Sequence, residues 1–315
     1  MSERTAVLLL AHGTPDTLDE IPEYLRNVTG GRPLPESLVD EIRHRYSLIG
    51  TSPLTSLTLE QGRLLSQEIC LPVYVGMRNW KPYITDAVGK MREDGIDKVV
   101  AICLAPQNSR TSVGLYRRSL FAAAEGMQVD FVEGWADHPL LTDAFAERLR
   151  AVWNPFSAEM GKPVPVLFTA HSVPCRTIHT PSATDGAQAA APGPDSYPVE
   201  AKHTAVLVAE RVDGLTPDNW FFAFQSQGMS GGPWIGPTVE DTLTALHHGG
   251  VRKIVVQPVG FLCDHVEILY DIDIVFHEFA GNLDMELRRP ESLNASHLLT
   301  AALADLARQG LARLG

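Results

Sequence analysis

Short apolar runs rich in Val, Ile and Leu alternate along the chain with longer stretches whose apolar residues recur at helical spacing. The runs at 5–11, 72–76, 98–104, 130–133, 164–170, 220–224 and 253–258 read as strands buried on both faces. The stretches at 18–28, 36–48, 58–69, 84–93, 112–125, 140–152, 200–211, 238–247 and 296–312 read as amphipathic helices. Strand followed by helix, repeated, is the pattern of an α/β protein with parallel sheets, and the seven runs are a minimum.

The two halves are similar. Val7 to Ala11 leads into His12-Gly-Thr-Pro15, and Val166 to Ala170 leads into His171-Ser-Val-Pro174, so each half opens with a strand ending in Ala-His-x-x-Pro. A second strand then enters a Gly-containing turn, at Gly76 or at Gln225 to Gly228, and a third ends near Pro106 or Gly260. The repeat predicts two similar doubly wound, Rossmann-like lobes with a cleft between them, where the carboxyl ends of the strands meet. Pro155, Gly161, Pro163 and Pro165 interrupt the pattern and set the expected division: a first lobe over 1–155, a second over 163–292, and a C-terminal helix over 293–315 packed back on the body. The stretch 180–197, rich in Ala, Pro, Gly and Ser, reads as a long loop, either a lid next to His171 or a surface insertion.

A length of 315 residues with 44% hydrophobic and 20% charged residues fits such a two-lobed globular chain. With 26 Lys and Arg against 38 Asp and Glu, the net charge of -12 argues against a nucleic-acid binder and suits a cationic substrate or metal. The apolar stretches fall far short of the roughly 20 residues that span a bilayer, so no transmembrane anchor is expected. The chain enters its first strand without a basic leader, and a cytoplasmic location is the expectation. Cys70, Cys103, Cys175 and Cys263 are scattered singly, which predicts reduced thiols.

His171, at a strand exit, is a candidate base or metal ligand, or a hydrogen-bonded structural residue. Asp264, His265, Glu267, Tyr270, Asp271 and Asp273 concentrate acid and imidazole groups after the last strand. If 267–275 is helical, Glu267 and Asp271 share one face, and Asp264 sits near the helix start as part of the acidic row or as an ordinary cap. Such oxygen and imidazole donors suit a loosely held divalent metal. Gln225 and Ser226 lead to Trp234, framed by Gly and Pro, which supports a flat aromatic ligand or anchors packing. Gly13-Thr-Pro15 lacks the spacing of a dinucleotide or phosphate loop.

Taken in order over 7–294, the segments around Ala11-His12-Gly-Thr-Pro15, Arg45-Tyr46, Gly50-Thr-Ser52-Pro-Leu54, Ala170-His171-Ser-Val-Pro174, Gln225-Ser-Gln-Gly228, Pro233-Trp234-Ile-Gly-Pro237 and Gly260 to Tyr270 resemble the ferrochelatase family, most closely its bacterial branch using coproporphyrin III. The resemblance implies an enzyme of haem biosynthesis, a lyase that inserts ferrous iron into coproporphyrin III to give coproheme. It implies that His171 and Glu267 are catalytic and handle the metal, while His12, in a slot where many members of that branch carry Tyr, is either an axial ligand or a hydrogen-bonded residue at the strand end. Tyr46, Ser52, Arg32, Gln225, Ser226 and Trp234 become substrate contacts, and Asp264, His265, Tyr270 and Asp271 support the site. Besides His12, two further departures stand out: the acidic row stops at Val275, and Thr29-Gly30 replace basic residues before Gly31-Arg32. No Cys follows Cys263, so no iron-sulfur cluster is expected, nor any required cofactor, ferrous iron being a substrate. A monomer is expected. The alternatives are a protoporphyrin IX ferrochelatase, a cobalt or nickel chelatase acting on a sirohydrochlorin-type ring, and a tetrapyrrole carrier without turnover.

Overall fold

The computed structural model describes residues 4–179, 194–228 and 232–315. In β1 (Thr5–Ala11) the side chains alternate between two buried layers: Val7, Leu9 and Ala11 enter one apolar cluster, and Ala6, Leu8 and Leu10 another. A strand buried on both faces belongs at the centre of a parallel sheet. It lies between β2 (Val73–Met77) and β3 (Lys98–Cys103), and β4 (Gln128–Val132) extends the sheet beyond β3. The second sheet repeats this plan, with β5 (Val166–His171) between β6 (Trp220–Gln225) and β7 (Lys253–Pro258), and β8 (Glu286–Arg288) beyond β7. The two strand orders, β2-β1-β3-β4 and β6-β5-β7-β8, are equivalent, and every pairing is parallel.

Helices α1 (Ile21–Val28), α2 (Glu36–Ile49) and α3 (Leu54–Ile69) join β1 to β2, while α4 (Ile84–Glu93) and α5 (Val113–Ala123) make the next two crossovers. α6 (Pro139–Met160) leads into β5, followed by α7 (Cys175–His179), α8 (Tyr197–Ala209) and, after β6, α9 (Val239–His248). Beyond β7 come α10 (Val266–Leu269), a π-helical stretch (Asp271–Phe276) and α11 (His277–Asn282), and α12 (His297–Leu314) ends the chain. One buried cluster runs through both lobes, uniting Val7 and Leu9 of β1, Phe145 and Leu149 of α6, Phe168 of β5 and Leu303 of α12. α12 packs back on the first lobe, against α3, α6, β3 and β4.

Several elements depart from the sequence pattern, among them the short helices α7 and α11, which it does not contain. The helix expected to stop at 152 runs through Pro155 to Met160, because the burial of Trp153 and Phe156 outweighs the backbone bond that proline removes, and it ends on Gly161 in the left-handed region. β8 is a strand of three residues, too short for a period to register. α8 starts at Tyr197, so the end of the expected 180–197 loop is helical, while 180–193 lies outside the described residues. The single helix expected over 267–275 is divided: α10 stops at Leu269, and the Val275 N–H donates to the Tyr270 carbonyl at 3.0 Å, a widened turn. Among the described residues no helix is long and apolar enough to cross a membrane.

Candidate active site between the lobes

The strand exits of both sheets border one cavity of about 350 Å3, within the range of small-molecule sites. From the second lobe, β5 delivers His171, the turn after β7 delivers His265, and α10 delivers Glu267. His171 Nε2 lies 3.2 Å from Glu267 Oε1, and His265 Nε2 lies 3.4 Å from Oε2. Each ring is fixed through its other nitrogen, His171 Nδ1 donating to the Ser172 carbonyl and His265 Nδ1 to the Cys263 carbonyl. The His171 and Glu267 side chains keep 32% and 34% exposure, so both remain reachable from the cavity. Burial opposes charge on each, but the carboxylate raises the His171 pKa against it, and the two imidazoles hold Glu267 well below the usual carboxylate range. Each member of the pair therefore favours the charged form of the other.

Behind this pair stand the other residues of the acidic segment. The Ser226 hydroxyl donates to Asp271 Oδ2, and burial, followed by the charge of Glu267, pushes the Asp271 carboxyl up to about 6. Gln225 is a brace rather than part of the cavity wall: its Oε1 accepts from Thr169 at 2.6 Å, and its Nε2 donates to the Glu267 carbonyl at 2.9 Å. Asp264 is not the helix cap. It accepts from Ser292 at 2.7 Å and Asn294 at 3.0 Å and faces Arg289 at 3.4 Å, tying the site to the 289–294 segment, while His265 occupies the cap position of α10. Arg289 also grips Asp273 at 2.6 and 2.7 Å, which neutralises that carboxylate and shortens the acidic row to Glu267 and Asp271. The Tyr270 ring carries the Arg45 guanidinium, 5.3 Å from its centroid.

The first lobe supplies a wall of different character. His12 Nε2 is 3.1 Å from the Tyr24 hydroxyl, and the Asn79 amide lies 3.1 Å from Nε2 and 3.3 Å from Nδ1. Burial, and then the Arg78 cation, lower the His12 pKa to about 3, so this imidazole is neutral. Gly13 makes its position attainable: with φ at 86°, an added Cβ there would stand 2.8 Å from the Trp80 backbone nitrogen. Tyr46 borders the cavity with its hydroxyl 3.1 Å from Thr14 Oγ1, and Trp234 borders it from the other lobe. Ser52 and Arg32 do not line it. Ser52 is buried, with Oγ 3.5 Å from the Leu54 nitrogen, and Arg32 is exposed, with Nε donating to the Thr29 carbonyl at 3.1 Å.

The sequence reading misses the wall residues Tyr24, Arg78, Tyr116 and Tyr197, and Asn79, which stands against the His12 ring. For Arg78 and Asn79 a signal exists, since they follow the Gly-containing exit of β2 as His12 follows β1. Tyr24, Tyr116 and Tyr197 sit inside helical periods, where an aromatic residue registers as core.

A sequence model of the ferrochelatase family matches residues 4–311. The chain is 68% identical over 316 residues to the Ferrochelatase of Acidobacterium capsulatum, covering 100% of this chain and 97% of that one. It is 32% identical over 328 residues to the Coproporphyrin III ferrochelatase of Geobacillus thermodenitrificans, covering 100% and 99%. Among solved structures, SirB from Bacillus subtilis with Fe3+ is similar at a TM-score of 0.55 and 10% identity, over 99% of this chain and 97% of that one. CbiX, the terminal enzyme for biosynthesis of sirohaem in denitrifying bacteria, is similar at 0.50 and 14% identity, over 96% and 98%. At those identities the likeness is one of fold. Matched by the family model from end to end and by relatives of equal length, the chain belongs to the ferrochelatase family, whose members insert a metal into porphyrin.

Proposed function

We propose that this ferrochelatase joins ferrous iron to coproporphyrin III, releasing two protons and iron-coproporphyrin. The observation that carries the reading is the 3.2 Å contact of His171 with Glu267 on a cavity wall that faces neutral His12 from the other lobe. The choice of ring draws support from the 32% identical relatives named for coproporphyrin III, matched over their whole length. Protoporphyrin IX is the competing ring, because the 68% identical relative is named without one.

The two side chains divide the work between metal and proton. A ferrous ion drawn to Glu267, with Asp271 behind it, opposes charge on His171 and so favours its neutral imidazole. The imidazole then accepts a pyrrole proton as a metal–nitrogen bond replaces the N–H bond, and passes it to water at the cavity mouth. The second pyrrole proton leaves the same way, so the ring dianion balances the charge of the ion. His12 faces the other side of the ring, an axial nitrogen donor to the product's iron once it exchanges its bond with Tyr24. Tyr46 and Trp234 bound the ring, and no resident cofactor takes part.

Insertion assays on His171→Ala and Glu267→Gln test this assignment. General acid–base groups contribute about 100-fold or more, so each variant is expected to lose at least that in kcat with its thermal midpoint unchanged. A variant inserting iron at nearly the wild-type rate would remove its residue from the mechanism.

A further inference from the structure

The sheet does not satisfy the end of β5 on both sides. The Ser172 N–H donates to the Gln225 carbonyl at 2.7 Å toward β6, and the Val259 N–H donates to the Thr169 carbonyl at 2.8 Å toward β7. Successive residues of a parallel strand bond to opposite neighbours, so the His171 carbonyl faces the β7 side, as Thr169 does. Pairing with β7 stops at Thr169 and Pro258, and the sheet has no N–H for that carbonyl. The Tyr197 hydroxyl supplies the donor, at 2.8 Å. Tyr197 opens α8, is 8% exposed, and packs its ring with Ala170, Ala201 and Phe224.

The first turn of α8 is in turn clamped to the opposite lobe. Asp195 Oδ1 accepts from the Tyr197 N–H at 3.0 Å, and its Oδ2 accepts from the Arg110 N–H at 2.9 Å. Glu200 Oε2 accepts from the Asn108 N–H at 2.7 Å, while Gln107 Nε2 donates to Thr204 Oγ1 at 3.1 Å and to the Val259 carbonyl at 3.0 Å. Carboxylate bonds to backbone N–H groups are about twice as strong as neutral ones. A continuous set of bonds thus runs from the exit of β3 in the first lobe, through α8, to the residue whose ring touches Glu267.

We propose that Tyr197 is a positioning residue for metal insertion: it holds the end of β5 so that His171 keeps its contact with Glu267, and Glu200 and Asp195 relay the placement of the first lobe to it. The inference rests on the assignment of His171 and Glu267 as the reacting pair. Tyr197 acts through the His171 carbonyl, to which its hydroxyl is committed, and burial pushes its phenol up so that it remains a donor at working pH.

Steady-state iron insertion by Tyr197→Phe, with porphyrin binding followed by fluorescence quenching, tests the role. Loss of one neutral hydrogen bond to the site is expected to lower kcat about fivefold, with the porphyrin KM and Kd within about twofold of wild type and the thermal midpoint lowered by no more than about 4 °C. Glu200→Ala, which leaves the Asn108 N–H without its carboxylate, is expected to lower kcat in the same sense and less than additively with Tyr197→Phe. An unchanged kcat overturns the proposal, as does a rise confined to KM, which would make Tyr197 a ring contact, or a kcat that returns to the wild-type value when the assay is run well below the variant's thermal midpoint, which would make it a fold residue. Full additivity overturns the relay through Glu200. A wild-type protein without insertion activity would fail the functional reading itself, whereas an active wild type with an equally active Tyr197→Phe variant fails only the positioning role.

Discussion

Glu267 and Asp271 lie one turn apart in nearly the same burial, yet they ionise in opposite senses because their neighbours differ. Two imidazoles hold Glu267 charged, whereas Asp271 has the Glu267 charge against it and rises to about 6. With its folded pKa above the unfolded value, Asp271 is neutral below about pH 6 and gains its charge only as pH rises through that value. The attraction it adds for ferrous iron is therefore present above pH 6 and lost below it. Assayed at limiting iron, Asp271→Asn is expected to lower kcat/KM for iron about tenfold at pH 7.5 and to flatten the fall of activity toward pH 5. By the same linkage, ionising Asp271 in the fold opposes stability at neutral pH, so the Asn variant is no less stable there. A variant with the wild-type acid limb would remove Asp271 from iron attraction. The positions of His12 and His171 at strand exits, and of Glu267 in the acidic segment after the last long strand, were legible as polar residues following apolar runs, whereas the roles expected of them came from the family resemblance. Tyr24 and Tyr197 were not legible, since what distinguishes them from core aromatics is the partner each hydroxyl meets, His12 in one case and a backbone carbonyl in the other.

Among elements, apolar period recovered β1 to β7 and the longer helices, missed the short β8, α7 and α11, and failed where packing overruled a local signal. Pro155 reads as a break, but the helix passes through it to bury Trp153 and Phe156. The π-helical stretch leaves no trace in the pattern because a single widened turn changes the register of too few residues. The docking of α12 is another matter of packing. An added Cβ at Gly310 would lie 2.4 Å from Val100 Cγ1 and 2.8 Å from Asp130 Oδ2, and Asp130 holds Arg313 of the same helix through two bonds of 2.8 Å. Alanine gains about 1 kcal/mol in helix propensity, less than the roughly 1–3 kcal/mol that overpacking costs at such a contact. Gly310→Ala is accordingly expected to lower the urea midpoint without changing the m-value, and an equal or higher midpoint would show that α12 is free to move away from β3.

At the scale of the molecule, two sheets of equivalent strand order place their first strand exits, His12 and His171, on one cavity, which is why the repeated Ala-His-x-x-Pro could be read as two lobes facing each other. The lobes are joined by more than the chain. One apolar cluster runs through both, Gln107 reaches across to Thr204 and Val259, and Gln61 of α3 donates to the Asn294 carbonyl at 2.7 Å beside the Asp264 loop. A net charge of -12 favours the approach of a divalent cation to the cleft over that of an anionic ring, so recognition of the ring falls to local contacts. The central claim, insertion of ferrous iron into coproporphyrin III, is tested most directly by an anaerobic absorbance assay of the purified protein with ferrous iron, run in parallel on coproporphyrin III and protoporphyrin IX. The account predicts that the free coproporphyrin bands disappear faster and are replaced by the iron-coproporphyrin spectrum; faster conversion of protoporphyrin IX, or coproporphyrin metallated no faster than without protein, would contradict it.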